Sequence, residues 1–205
     1  MHKAMRDQTR FILTEYRELP VYSGTQRSSL SVFSNAIRSH KNKQIILVVF
    51  DLDNTLIHSN NTTVHSSLQS FRVAVEDERW STYIRPYVFD FFKMLTKHGI
   101  KYAVWTAGVK EYAKQVVKGI QSRGEFHPAF VWSRSETSLV HGNYVKDMRK
   151  VVGYGQAVLL DDSMHHNMYF SNETRVQTVP LFVASRPHDD FFHYLTKVTS
   201  RLLTR

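Results

Sequence analysis

Apolar residues along the chain fall into short runs set apart by polar and glycine-containing breaks, and their spacing alternates between strand and helix periods. Residues 45–50 are continuously apolar, the pattern of a strand buried on both faces of a parallel sheet. Residues 86–98 begin with Pro86, carry Phe89, Phe92 and Leu95 on one helical face and meet Gly99 as a stop, which predicts a helix. The same periodicities predict strands at 100–105, 129–132, 157–160 and 176–182, and helices at 110–121 and from His188 onward. Between the first strand and the first of these helices, apolar runs at 71–75 and 80–84 flank Glu76-Asp77-Glu78 and predict a β-hairpin. Strands that alternate with helices imply an α/β fold, a doubly wound, Rossmann-like parallel sheet.

Upstream, residues 10–19 place Phe11, Ile12, Tyr16 and Leu19 at spacings of an amphipathic helix that ends before Pro20, and residues 21–44, rich in Ser, Asn and Arg, read as a linker. The chain therefore divides into a basic N-terminal extension at 1–44, helix plus linker, and one domain at 45–205, a size that suits a single core. Net charge is 27 − 18 = +9, and residues 1–45 contribute eight Lys/Arg against three acids, or +5 of it. That balance suits an anionic partner and makes the extension a candidate docking arm; a solvated positive surface would carry the same charge. Cysteine is absent, which excludes disulfides, thiolate metal sites and cysteine nucleophiles. The N-terminus lacks the apolar stretch of a secretory signal and no run approaches the roughly 20 residues of a membrane span. The expectation is a soluble intracellular protein, nuclear or cytoplasmic, with no membrane partner.

In open α/β sheets ligands bind beyond the carboxyl ends of the strands, so residues that follow predicted strands share one crevice. The first strand runs into Asp51-Leu52-Asp53, the strand at 100–105 into Thr106, and the strand at 157–160 into Asp161-Asp162. Carboxylates at i and i+2 of an extended segment lie on one side and can face one ligand. Crowded carboxylates repel unless a cation offsets them, and hard oxygen donors suit Mg²⁺, which recruits substrate phosphate. With no cysteine to attack phosphorus, a carboxylate can do so and form an aspartyl-phosphate. Asp51 is then the nucleophile and Asp53 the general acid/base. Taken singly, Thr106 could be a helix N-cap and Asp161-Asp162 a capping pair; their common place at strand ends favours the site.

Asp51-Leu52-Asp53-Asn54-Thr55 resembles the first motif of haloacid-dehalogenase-like phosphatases, Thr106 in Val-Trp-Thr-Ala-Gly the second, Lys146 the third and Asp161-Asp162 the fourth. More narrowly, Phe-Asp-Leu-Asp-Asn-Thr-Leu-Ile-His-Ser at 50–59, Arg-Pro-Tyr-Val at 85–88, Trp-Thr-Ala-Gly with Tyr112 following, and His-Gly-Asn-Tyr-Val-Lys-Asp at 141–147 resemble the small phosphatases of the RNA polymerase II carboxy-terminal domain, the NLI-interacting-factor-like family. The resemblance covers about residues 45–200. It implies that Mg²⁺ is held by the Asp51 carboxylate, the Asp53 backbone carbonyl and the Asp161-Asp162 pair, with Asp162 ligating directly. It also implies Thr106 and Lys146 on the transferring phosphoryl oxygens, and Arg134, Asn54, Val109 and Tyr112 on the substrate side, Arg134 at its phosphate and Val109 and Tyr112 lining an apolar pocket. Two positions depart from the family pattern: Asp161-Asp162-Ser163-Met164 stands where Asp-Asn-Ser-Pro is usual, and Asn61 is polar where a bulky apolar flap residue is usual. Taken singly, Lys146 could be a solvated surface lysine; its place in Gly142-Asn-Tyr-Val-Lys-Asp147 favours the phosphate role. His165-His166 read as structural or surface residues, Asn167 as a residue that orients the acidic loop or caps a helix, and Phe191 and Phe192 as core.

The resemblance further implies that members acting on small metabolites carry a large mobile cap to exclude water. About 30 residues separate the first motif from the helix at Pro86, and 39 separate Thr106 from Lys146, room for a small flap and a short insertion. An open site predicts a Mg²⁺-dependent protein serine/threonine phosphatase, with a phosphoprotein such as the RNA polymerase II tail as substrate. One alternative is a phosphatase for nucleic-acid 3′ ends or small metabolites; the basic charge suits nucleic acid, but no recognisable nucleic-acid-binding motif accompanies it. The other is a non-catalytic phosphopeptide-binding or scaffold relative, against which the retained Asp51, Asp53, Thr106, Lys146 and Asp162 argue.

Overall fold

The computed structural model describes residues 47–62, 67–154, 157–163, 176–185 and 194. Strand β1 (Leu47–Phe50) has every side chain buried and takes the middle of a five-stranded sheet. A strand without a polar face is stable only when both of its faces are covered. Val48 and Phe50 enter a large core shared with both described α-helices, while Leu47 and Val49 enter a second core on the opposite face.

Strands β2 (Ile57–Asn60), β3 (Ser70–Val75) and β4 (Glu78–Ile84) form a separate antiparallel flap in the order β2-β4-β3. Helix α1 (Val88–Lys97), β5 (Lys101–Trp105), α2 (Lys110–Gln121) and β6 (Val131–Trp132) follow, then a small hairpin of β7 (Ser138–Val140) and β8 (Asn143–Val145). Finally β9 (Ala157–Asp161) and β10 (Val176–Thr178) complete the main sheet, whose order is β10-β9-β1-β5-β6 with all pairs parallel. The chain winds outward from β1 to β5 and β6, then returns on the other side to β9 and β10. The direction of winding thus reverses at β1, and the crevice expected of such a reversal opens beyond the carboxyl ends of β1 and β9.

This is the predicted α/β architecture, and among the described residues a small flap and a short hairpin insertion stand in place of a large cap. Differences have local causes. Strand β2 escaped the pattern because one of its four side chains is buried; pairing with β4 makes it a strand. The strand expected at 176–182 stops at Thr178: Val179 N still reaches Asp161 O at 2.9 Å, but Pro180 has no N–H to continue the ladder and Phe182 N turns to Asn54 O. The helix expected from Pro86 starts at Val88, after Tyr87 in a left-handed conformation with φ 64°. The N-terminal helix and linker, the pair His165-His166, Asn167, and the helix from His188 with Phe191 and Phe192 lie outside the described residues, except that Tyr194 is helical. Among the described residues, no helix is long and apolar enough to cross a membrane.

Helix α2 fastens the flap. Gln115 bonds both the N–H and the C=O of Ala74, and Arg123 Nε donates to Ser70 O at 2.8 Å, so side chains pair part of the outer edge of β3. Gly119 lets the two surfaces meet, since a Cβ there would stand 2.3 Å from the Phe71 ring.

Candidate active site

Beyond Phe50 the ladder continues by one bond, Asp51 N donating to Leu160 O of β9 at 3.0 Å. The chain then folds tightly, with Leu52 O accepting from the N–H groups of Thr55, Leu56 and Ile57 at 3.2, 2.9 and 3.0 Å. Asn54 occupies the turn at φ 59°, a conformation that Asn tolerates better than most residues, and its Oδ1 lies 3.1 Å from His58 Nδ1. The turn leaves the Asp51 carboxyl buried and that of Asp53 at the edge of the crevice.

Opposite, β9 delivers Asp161 and Asp162. Thr55, fully buried, clamps the two motifs together: its hydroxyl accepts from Asp162 N at 3.1 Å and is directed at Asp162 Oδ1 at 3.4 Å. Lys146 follows β8 and is 4% exposed, which removes the solvated-surface reading. Its ammonium donates to Asp51 Oδ1 and, at 2.6 Å, to Asp161 Oδ2. Asp161 Oδ1 in turn accepts from Ser163 N at 2.7 Å, so both of its oxygens are engaged.

Asp51, Asp161 and Asp162 each offer an oxygen within 4.8 Å of the others. With all three carboxylates ionised, one ammonium among the described residues stands against them, a balance of 1 − 3 = −2. Burial pushes the Asp51 carboxyl well above its ordinary range; Lys146 opposes this, and Asp161, Asp162 and Asp53 add to it. Burial and then the charge of Asp161 raise Asp162 to about 7. Burial raises Asp53 too, opposed by the Tyr112 hydrogen bond and by Lys146. For Lys146, burial acts to lower its pKa, but Asp161 and Asp51 more than reverse it, so the ammonium stays charged. A residual charge of −2 on hard oxygen donors suits a divalent cation of the Mg²⁺ type. Asp162 retains an oxygen for it and Asp51 Oδ1 has a second lone pair beside Lys146, whereas Asp161 has both oxygens engaged, with Lys146 and Ser163.

Thr106 follows β5 and is buried; its N donates to Trp132 O at 3.0 Å and its Oγ1 accepts from Gly108 N at 2.9 Å. Helix α2 is capped by Val109 without a side-chain bond, so Thr106 shapes the preceding turn and is not the N-cap. Val109 itself packs against the main core. Arg134 opens a 3₁₀ turn, Arg134–Glu136, fixed by a reciprocal capping box between Ser133 and Glu136. Its N donates to Gly108 O and its Nε to Ala107 O, both at 2.8 Å, which seats Arg134 on the loop that carries Thr106. Tyr112, on α2, has its ring edge-on to Trp80 at 5.7 Å and its hydroxyl on Asp53 Oδ1. The fold thus gathers Asp51, Asp53, Lys146, Asp161 and Asp162, puts Thr106 and Arg134 together on an adjoining loop, and gives Asn54 a place in the turn.

Sequence reasoning met Arg85 only as part of Arg-Pro-Tyr-Val and gave it no role. It is 1% exposed, its guanidinium donates to Thr55 O at 2.9 Å and Pro180 O at 2.8 Å, and it lies 5.5 Å over the Phe182 ring. It braces the motif loop against the segment after β10. The one available signal was a charged residue wedged between Tyr83-Ile84 and Pro86 at a strand end. Ser59 and Thr82, paired across β2 and β4, carried no signal.

A family model described as NLI interacting factor-like phosphatase matches residues 46–204. The chain is 27% identical over 131 residues to a probable C-terminal domain small phosphatase of Dictyostelium discoideum, covering 63% of this chain and 42% of that relative. It is likewise 27% identical over 161 residues to the Homo sapiens carboxy-terminal domain RNA polymerase II polypeptide A small phosphatase 1, covering 75% and 60%. The chain therefore spans about half the length of these curated relatives. Its fold resembles the solved structure of Fcp1, an essential RNA polymerase II CTD phosphatase, with a TM-score of 0.56 at 18% identity, over 84% of this chain and 52% of that one. By the match over residues 46–204, the chain belongs to the NLI interacting factor-like phosphatase family.

Proposed function

We propose that the protein is a Mg²⁺-dependent phosphomonoester hydrolase that works through an aspartyl-phosphate on Asp51 and acts on phosphoserine or phosphothreonine in a protein. The observation that carries this reading is the meeting of Asp51, Lys146 and Asp162 at the point where the sheet reverses its winding. Lys146 holds Asp51 Oδ1, which leaves Oδ2 to attack phosphorus. As the Asp51 O–P bond forms, the ester P–O bond breaks and Asp53 gives its proton to the departing alkoxide. Water then attacks phosphorus and passes a proton back to Asp53. The Asp51 O–P bond breaks, phosphate leaves, and both carboxyls return to their starting state. Lys146, with Thr106 and Arg134 on the adjoining loop, is placed to offset charge on the phosphoryl oxygens. Mg²⁺, held by Asp51, the Asp53 carbonyl and Asp162 with Asp161 in support, would supply further charge neutralisation there.

The substrate class rests on access. A three-stranded flap and a two-stranded hairpin are the insertions among the described residues, and both are too small to enclose a metabolite. The name of the Homo sapiens relative, a carboxy-terminal domain RNA polymerase II polypeptide A small phosphatase, points the same way. In this reading residues 45–205 are the catalytic unit and residues 1–44 a basic docking arm.

Asp51→Asn, with folding checked by circular dichroism, is expected to lower Mg²⁺-dependent aryl phosphate hydrolysis by about 10³-fold or more. Retained activity would sink the nucleophile assignment. Among phosphopeptides, a 3′-phosphorylated oligonucleotide and sugar phosphates, kcat/KM is expected to be highest on the phosphopeptides; a preference for the sugars would count against the open-site argument.

A further inference from the structure

Tyr112 enters the reading as a wall of an apolar pocket, yet its hydroxyl stands at the end of a chain of polar groups. The Tyr112 hydroxyl donates to Asp53 Oδ1. Ser59 Oγ lies 2.8 Å from the Tyr112 oxygen, and Thr82 Oγ1 lies 3.0 Å from Ser59 Oγ. Each hydroxyl has one proton to give. Since that of Tyr112 is spent on Asp53, Ser59 must donate to Tyr112, and Thr82 to Ser59. The three bonds run one way, Thr82 to Ser59 to Tyr112 to Asp53, and each polarises the next.

The chain is held by structure on every side. Ser59 and Thr82 are paired residues of β2 and β4, and Thr82 is fully buried. The Tyr112 ring is bounded by Trp80 and by the backbone at Gly108, where a Cβ would come within 2.9 Å of Tyr112 Cδ1. Gln115, on α2, and Arg123, just past its end, fasten the same helix to β3. Tyr112 therefore cannot follow Asp53 if the carboxyl turns.

We propose that Tyr112 is a positioning residue for the acid step: by committing Asp53 Oδ1 as an acceptor, it fixes the carboxyl plane and leaves Oδ2 to carry the proton delivered to the leaving alkoxide. A free carboxyl turns about its terminal torsion over a broad, shallow well. Here, turning breaks the bond to Tyr112. A proton placed on Oδ1 would face the Tyr112 hydroxyl proton across the same short gap, so Oδ2 is the productive site. The flap strands thereby orient the acid through Ser59 and Thr82. This inference rests on the role proposed above for Asp53.

The test compares Tyr112→Phe, which removes the hydroxyl and keeps the ring, on two substrates in the presence of Mg²⁺. A phosphoserine peptide releases a basic alkoxide that needs the proton, whereas p-nitrophenyl phosphate releases a phenolate that needs it little. Because kcat/KM reports the first transfer to Asp51, the variant is expected to lose at least about tenfold more kcat/KM on the peptide than on the aryl ester, through kcat and not KM, within the range of general acid effects. Ser59→Ala is expected to act in the same direction more weakly, and it carries the test should Tyr112→Phe not fold. Equal losses on the two substrates, no loss on either, or a change confined to KM would overturn the proposal. Failure of the nucleophile assignment is read separately, from activity retained by Asp51→Asn.

Discussion

Replacing Asp162 by Asn should make the metal-free protein more stable while weakening its response to Mg²⁺. Burial and the neighbouring Asp161 raise the Asp162 carboxyl from 3.8 to about 7. The folded form then holds this proton more tightly than the unfolded form. Folding takes up a proton between pH about 4 and about 7, so this residue's contribution to stability declines as pH rises through that window and levels off above it. At about 1.36 kcal/mol per pH unit, the span from 3.8 to about 7 corresponds to at most about 4 kcal/mol. Asp162 keeps some solvent contact and shares charge with nearby acids, so about half of that bound is the working expectation. Asp147, which its hydrogen bond to Arg149 holds low, slopes the other way, so the difference between wild type and variant is the quantity to measure. Urea denaturation across pH about 4 to 8 in a chelator should show Asp162→Asn gaining on wild type as pH rises. With saturating Mg²⁺ the variant's advantage should narrow above pH about 7, because the ionised carboxylate binds the cation more tightly than the neutral amide that the family pattern carries there. A wild-type minus variant difference that is flat with pH, or a variant stabilised by Mg²⁺ as strongly as wild type, would refute this reasoning.

Two further perturbations probe the scaffold around the site. Arg85→Met keeps the buried stem but removes two charge-assisted bonds, to Thr55 O and Pro180 O, and is expected to cost about 3 kcal/mol in denaturant melts and to lower kcat more than it raises KM. A cost below about 0.5 kcal/mol would mean that the brace is idle. Gly119→Ala sets a Cβ 2.3 Å from the Phe71 ring and should cost about 1–3 kcal/mol by forcing α2 away from β3; an unchanged melting temperature would contradict the close packing described for that seam.

Much of the main sheet was legible because its signals are local. A fully apolar four-residue run, a Pro before a helix and a Gly after it depend on neighbours in the chain, and β1, α1, β5, α2 and β9 lie close to where the pattern puts them. Strand β2 and the early end of β10 were hidden because pairing with β4 makes the one and a missing Pro180 N–H curtails the other. At the site, residue spacing already placed Asp51, Asp53, Thr106, Asp161 and Asp162 at strand ends, since α/β topology sends those ends to one crevice. Tertiary structure alone decided what each side chain meets there. Lys146 reaches Asp51 across 95 residues of sequence, Thr55 reaches Asp162 across 107, Arg85 reaches Pro180 across 95 and Tyr112 reaches Asp53 across 59. Backbone preference is written residue by residue, whereas a buried lysine, arginine or tyrosine hydroxyl persists only if distant groups arrive to satisfy it. The sequence by itself therefore determined where the acids stand along the chain, and the fold determined which of them Lys146 neutralises and which one Tyr112 holds in place.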